Sequence, residues 1–296
     1  MNPELKNAID ATISQYTGQP FRSNHLRDVS GGCINQSCIV GDGQQRFFVK
    51  FNRADLLDMF AAEEEGLREI RASETIRVPE PIGAATAGRS AYLVLEHVAL
   101  SEGRVDDELF GRQLAQMHRR TQTRHGWHRD NTIGSTPQIN TWQNDWLAFW
   151  REHRLGYQLS LAAQRGHHSA LQHKGEQLMA RLDGFFTGYT PAPALLHGDL
   201  WSGNYGALAD GRPVIYDPAV YYGDRETDLA MTELFGGFSR AFYDAYHTAY
   251  PLDPGYTTRK TLYNLYHVLN HLNLFGGGYG AQAENMLDRL LSELKG

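Results

Sequence analysis

The apolar pattern of this chain changes period once, and that change constrains its fold more than any other feature. Stretches rich in Val, Ile and Phe at about 25–30, 34–41 and 44–51 are separated by Gly31-Gly32 and Gly41-Asp42-Gly43, the punctuation of a β-meander. A short amphipathic helix over about 3–17 precedes them and a stronger one over about 54–72 follows. Val78-Pro79-Glu80-Pro81 then breaks the chain before another strand at Tyr92-Leu93-Val94-Leu95. From about residue 105 the spacing is helical: 109–117, 142–159, 168–186, 256–275 and 281–294. Only Leu195-Leu196-His197-Gly198-Asp199 and Val214-Ile215-Tyr216-Asp217 interrupt it. Strands segregated from helices predict an α+β fold of two lobes, 1–98 with a small antiparallel sheet and one main helix, and 99–296, mainly helical.

With 296 residues, 41% of them hydrophobic, the chain can build a substantial core. Its formal charge of −6 and the lack of any Lys/Arg run exclude nucleic acid and anionic membrane as expected partners. The start, Met1-Asn2-Pro3-Glu4-Leu5-Lys6, leads into no apolar stretch, and no later run nears the roughly 20 residues that span a bilayer; a cytoplasmic protein is expected. Cys33 and Cys38 point to opposite faces of an extended segment, on the order of 16 Å apart, and are not expected to pair. His167-His168 and His173 lack Cys or carboxylate at ligand spacing and read as surface histidines.

The chemistry concentrates in Leu196-His197-Gly198-Asp199-Leu200-Trp201-Ser202-Gly203-Asn204, which fits H-x-D-x-x-x-x-N, the catalytic loop of kinases. Thirteen residues after Asn204 comes Asp217, behind the β-like Val214-Ile215-Tyr216. Phosphoryl transfer needs a carboxylate to orient the attacking hydroxyl and accept its proton, a role that suits Asp199. It also needs hard oxygen ligands for Mg²⁺, which Asn204 and Asp217 can supply. Each residue alone would pass for a turn former; their order and spacing argue for the reaction.

Upstream, Phe47-Phe48-Val49-Lys50-Phe51 sets a lysine inside an apolar strand, where it requires a counter-ion. On the following helix, at about 100° per residue, Leu56, Phe60, Leu67 and Ile70 form one stripe, and Glu63 falls in its middle. A Lys50–Glu63 pair that holds the α- and β-phosphates of ATP is the expectation. Ser30-Gly31-Gly32-Cys33-Ile34-Asn35, between the first two strands, could fold over the phosphates. Two glycines there also suit a plain hairpin turn, so Gly31, Gly32 and Asn35 are nucleotide candidates by their position before Lys50.

Over nearly its whole length the chain resembles the fructosamine kinase family, the ketosamine kinases related to aminoglycoside phosphotransferases and to the protein-kinase-like fold. Beyond the catalytic loop, the resemblance is carried by Phe48-Val49-Lys50, by Asp130-Asn131-Thr132-Ile133-Gly134-Ser135-Thr136-Pro137-Gln138, by Trp142 with Asp145-Trp146, by Asp217-Pro218-Ala219 leading to Tyr222-Gly223-Asp224-Arg225-Glu226, and by Leu234-Phe235-Gly236-Gly237-Phe238. The resemblance implies ATP-dependent phosphorylation of the 3-hydroxyl of a glycated amine, with adenine hung from the backbone at Glu96, His97 and Val98. It further implies that bacterial-type members favour ribulosamines or erythrulosamines over fructosamines.

Substrate contacts are less legible. Trp201 could pack a sugar ring or sit in the core. Asp224, with Glu226 and Asp228, could attract the cationic amine, or could be a helix-start carboxylate cluster. Cys33, in the glycine loop, could link two otherwise monomeric chains on oxidation, or could be inert. The competing functions are an aminoglycoside, choline or homoserine kinase with the same catalytic loop, and a nucleotide-binding regulatory module without turnover.

Overall fold

The computed structural model describes residues 1–29, 34–167 and 170–294. The chain groups into two compact units, one of Met1–Asp106 with Tyr205–Pro218, the other of Asp107–Asn204 with Ala219–Gly296. The strand-rich unit thus takes in residues 99–106 and a later hairpin besides the segment 1–98.

In the first unit, Asn2 caps helix α1 (Pro3–Thr17) by accepting from the Leu5 N–H at 2.8 Å, and Gly18 ends it at φ +67°. Strands β1 (His25–Val29), β2 (Gln36–Gly41), β3 (Arg46–Arg53), β4 (Pro81–Ala87) and β5 (Ser90–Glu96) form an antiparallel sheet in the order β1-β2-β3-β5-β4. Helix α2 (Leu57–Ala72) lies between β3 and β4 in the chain. Leu5, Ile9 and Ile13 of α1 pack on Val40, Phe47, Val49 and Val94, so alternate residues of the central strand β3 face one core. Edge strand β4 escaped the sequence pattern: Pro-Ile-Gly-Ala-Ala-Thr-Ala has little β-propensity, and its order comes from pairing with β5 across a bulge.

The second unit begins with α3 (Asp107–His118) and the hairpin β6 (Asn131–Ile133) and β7 (Thr136–Gln138). The helix expected over 142–159 starts later, where Asp145 caps α4 (Trp146–Phe149), and runs through a π-helical stretch, Trp150–Gly156, into α5 (Tyr157–Gln164). Helix α6 (Ala170–Met179) and strand β8 (Ala194–Leu196) follow. The hairpin β9 (Tyr205–Ala207) and β10 (Pro213–Ile215) belongs to the first unit, and β11 (Tyr221–Gly223) returns to pair with β8. Helices α7 (Glu226–Leu234), α8 (Arg240–Ala249), α9 (Tyr256–Phe275) and α10 (Tyr279–Glu293) complete the unit. Neither α7 nor α8 was legible. Buried polar residues break the apolar rhythm of α7, and α8 is a short segment between Gly236-Gly237 and Pro251. Among the described residues no helix is long and apolar enough to cross a membrane.

Candidate active site

Because Phe47 and Val49 face the core, Lys50 projects from the other face of β3. It is only 6% exposed, and its Nζ donates to Glu63 Oε1 and to Asp217 Oδ1, each at 2.6 Å. Glu63 reaches it from the α2 stripe whose Phe60, Leu67 and Ile70 are fully buried, as the helical angles predict. Burial opposes the Lys50 charge, but the two carboxylates outweigh it and hold the ammonium pKa above the usual lysine value. Burial pushes Glu63 up, against the pull of Lys50. Asp217, after β10, has φ +58°, a left-handed conformation that costs a non-glycine residue about 1–2 kcal/mol. Its side chain remains 46% exposed.

Asn52 Nδ2 donates to the Ile34 carbonyl and to Asn35 Oδ1, both at 2.9 Å, tying the chain before β2 to β3. Gly31, Gly32 and Cys33 lie outside the described residues. Glu96 closes β5; its carboxylate takes the Arg77 guanidinium and accepts from the Glu80 N–H at 3.1 Å. The Glu96 N–H is committed to the Glu80 carbonyl at 2.8 Å. His97 and Val98 are half-buried, and burial and Arg46 lower the His97 pKa.

In the second unit, the loop after β8 turns on itself. Asn204 Nδ2 donates to the Asp199 carbonyl at 2.8 Å and to Asp199 Oδ2 at 3.3 Å, so the amide oxygen of Asn204 is the end turned away from Asp199. His197, fully buried, accepts from the Asp199 N–H through Nδ1 at 3.2 Å. The base of the loop rests on Asp228 of α7, whose carboxylate accepts from the N–H groups of His197 at 2.7 Å and Gly198 at 2.8 Å and lies 3.1 Å from His118 Nε2. Burial alone would raise the Asp228 pKa, but the His118 bond and the neighbouring positive charge bring it below the usual range. Trp201 is 38% exposed and meets Phe235 edge-on at 6.2 Å, so it is no core tryptophan. A Cβ on Gly203 would come within 2.4 Å of the Trp201 ring, so the indole lies over that glycine.

The reading of Asp224 as an attractor of the substrate amine is corrected. Asp224 and Glu226 are fully buried and Asp228 is 1% exposed. Asp224 accepts from Tyr189 OH at 2.9 Å, from the Glu226 N–H at 3.0 Å and from Tyr263 OH. Glu226 takes the Arg259 guanidinium in two bonds of 2.7 and 2.9 Å. The three do stand at the start of α7, with Glu226 and Asp228 in its first turn, but they are buried and not solvated, and Asp228 supports the loop after β8. The signal was their setting, since Asp224, Glu226 and Asp228 stand between the apolar Val220-Tyr221-Tyr222 and Leu229-Ala230-Met231.

The sequence profile described as Fructosamine kinase matches residues 5–293. A Synechocystis protein named "probable ketoamine kinase" is 50% identical, the match covering 98% of this chain and 98% of that protein. The chloroplastic protein-ribulosamine 3-kinase of Oryza sativa subsp. indica is 42% identical over 94% of this chain and 82% of its own length. Among solved structures, a Haemophilus somnus protein under the name fructosamine-3-kinase superposes with a TM-score of 0.88 at 29% identity, covering 96% of both chains. An aminoglycoside phosphotransferase shares the fold at a TM-score of 0.62 and 15% identity, with 97% of this chain and 99% of that one covered.

Proposed function

Because the chain belongs to the fructosamine kinase family, we propose that it transfers the γ-phosphoryl group of ATP to the sugar 3-hydroxyl of a ketosamine, and so starts the release of the glycated amine. The observation that carries this reading is the double pairing of Lys50 with Glu63 and Asp217 at 2.6 Å. A lysine held charged in a buried position is suited to phosphate oxygens, and the second of its carboxylates is half exposed, as a metal ligand would need to be. Asp217 and the free oxygen end of the Asn204 amide are hard donors that fit Mg²⁺. When bound, Mg²⁺ supplies positive charge to the phosphate oxygens.

Asp199 orients the 3-hydroxyl and takes its proton as the new O–P bond forms and the bond to the ADP leaving group breaks. Asn204 restrains the Asp199 carboxylate through its 3.3 Å contact. Adenine at residues 96–98 would use the Glu96 carbonyl rather than its committed N–H. Asn35, with Gly31 and Gly32, would close over the phosphates, and the exposed face of Trp201 would carry the sugar. The amine is free or protein-borne, ribulosamines and erythrulosamines being the preferred sugars by family, and the site of action the cytoplasm.

The test is ATP consumption with ribulose-, erythrulose- and fructose-amines beside kanamycin, choline and homoserine, each against Asp199→Asn. Turnover confined to ketosamines and lost in the variant is the expected result. Turnover on another alcohol alone would overturn the substrate, and silence on every acceptor with tight nucleotide binding would favour a regulatory module.

A further inference from the structure

The β6–β7 hairpin, which carries the Asn131–Gln138 block, takes no part in the chemistry just described, yet its polar side chains converge on one stretch of backbone. Strands β8 and β11 pair up to Leu196 and Tyr221, and one rung lies beyond them: the Ala219 N–H donates to the His197 carbonyl at 2.8 Å. Asp199 stands two residues after His197, and Asp217 two residues before Ala219. Both carboxylate-bearing segments therefore leave from this rung. The crossing is close: Gly198 has φ +84°, and a Cβ there would lie 2.0 Å from the Ala219 oxygen.

The hairpin holds the strand at this rung through two side-chain amides. Gln138 Nε2 donates to the Ala219 carbonyl at 3.1 Å, and Asn131 Nδ2 to the Val220 carbonyl at 2.8 Å. The clamp is itself locked. Gln138 Nε2 also donates to Asn131 Oδ1 at 2.8 Å, and Gln138 Oε1 accepts from Tyr266 OH at 2.7 Å. Asn140 Nδ2 donates to Asn131 Oδ1 at 2.9 Å, and Arg154 in turn donates to Asn140 Oδ1 at 2.8 Å. Gln138, Asn140 and Arg154 are at most 1% exposed. Arg154 Nε is buried without a partner, but Gln138, Asn131 and Asn140 are each bonded through both their amide nitrogen and their amide oxygen, and a buried network so bonded fixes one geometry where an apolar contact would tolerate several.

We propose that Gln138, with Asn131, is a positioning residue for phosphoryl transfer: by holding the Ala219 and Val220 carbonyls it sets the direction in which the chain arrives from Asp217 at the rung shared with the catalytic loop. The proposal rests on the metal role given to Asp217, and its test needs no sugar. Gln138→Met keeps the volume and removes the donors. Leu287→Ala, in the core of α10, serves as a control of comparable destabilisation.

ADP affinity is measured with and without Mg²⁺, beside thermal midpoint and kcat. Gln138→Met should bind ADP without Mg²⁺ much as the wild type does, lose about 10–100-fold of the Mg²⁺-dependent gain, and lose kcat with it. The control should keep both. A Gln138→Met protein that is less stable than wild type but retains the full Mg²⁺ gain and kcat overturns the proposal. If that variant does not fold, Asn131→Ser carries the same expectation at Val220. A wild type with no Mg²⁺ gain would refute the metal role of Asp217 and this proposal together, whereas silence on ketosamines with the gain intact would count only against the substrate.

Discussion

Lys50 and Asp199 meet opposite demands. A buried, unpaired ammonium costs several kcal/mol, so Lys50 stands at 6% exposure only because Glu63 and Asp217 both bind it. In the proposed reaction Asp199 has to be accessible to a hydroxyl, and it is half-buried, with Asn204 at one of its oxygens. The two carboxylates of the proposed reaction should therefore separate on mutation. Asp199→Asn should lower kcat by about 10²–10⁴-fold with ADP affinity kept, since only proton acceptance is lost. Asp217→Asn should instead weaken the Mg²⁺-dependent part of nucleotide binding. Steady-state kinetics beside an ADP titration checks both, and wild-type turnover in Asp199→Asn would refute its role. Glu63 was legible because helix geometry alone aims it at the core beside its apolar neighbours. Asp228 was not, because its partners are backbone N–H groups some thirty residues away, which no side-chain pattern announces.

At the scale of elements, the loop after β8 is held by helices that take no part in the proposed reaction. Helix α7 presents Asp228 to the loop, and α3 presents His118 to Asp228, with Tyr246 of α8 bonded to the other ring nitrogen at 2.8 Å. The α3–α8 contact depends on Gly111, where a Cβ would come 2.3 Å from the Phe242 carbonyl oxygen and 2.9 Å from the Tyr246 nitrogen. Both are backbone atoms, so α8 as a whole would have to move. Gly111→Ala should therefore cost about 1–3 kcal/mol in spite of the better helix propensity of alanine. Because Tyr246 would move with α8, kcat should fall as well, and denaturation together with kinetics reads both. An unchanged stability would mean that the helices separate freely. The same elements mark the limit of sequence reading. The long α9 and the strands β2 and β3 declare themselves by period, whereas β4, α7 and the π-helical stretch take their form from neighbours distant in the chain.

At the scale of the whole molecule, the chain passes between its two units at 106/107, 204/205 and 218/219, so Asn204 and Asp217 each stand at or next to a crossing. Stability at acid pH is the property that gathers most of the buried groups. Burial lowers His125 to about 4 and His267 to about 3, and it lowers His118 as well. Below the unfolded value near 6.5 these histidines take up protons in the unfolded chain before the folded one, so stability is level above that pH and falls as pH drops toward 4. Glu226 works the other way: burial raises it to about 7, so between its unfolded value of 4.5 and 7 the folded state holds the extra proton and gains stability on acidification. Burial raises Glu63 and Asp224 in the same sense as Glu226, but His97 and His153 are lowered as well, so five histidines outnumber three carboxyls and the net slope should be a loss of stability from pH 6.5 downward. Each histidine contributes up to about 1.4 kcal/mol per pH unit. His125 packs at a tilt against Trp146 with ring centroids 5.1 Å apart and leaves its Nδ1 buried without a partner, so His125→Phe should keep the packing and remove one proton from the balance. Urea denaturation at pH 7.5 and pH 5 should show a loss about 2 kcal/mol smaller in the variant than in the wild type, the worth of about 1.5 pH units. An equal loss in both would mean that His125 is protonated as readily in the folded protein as in the unfolded chain, and that its burial does not govern the acid limb.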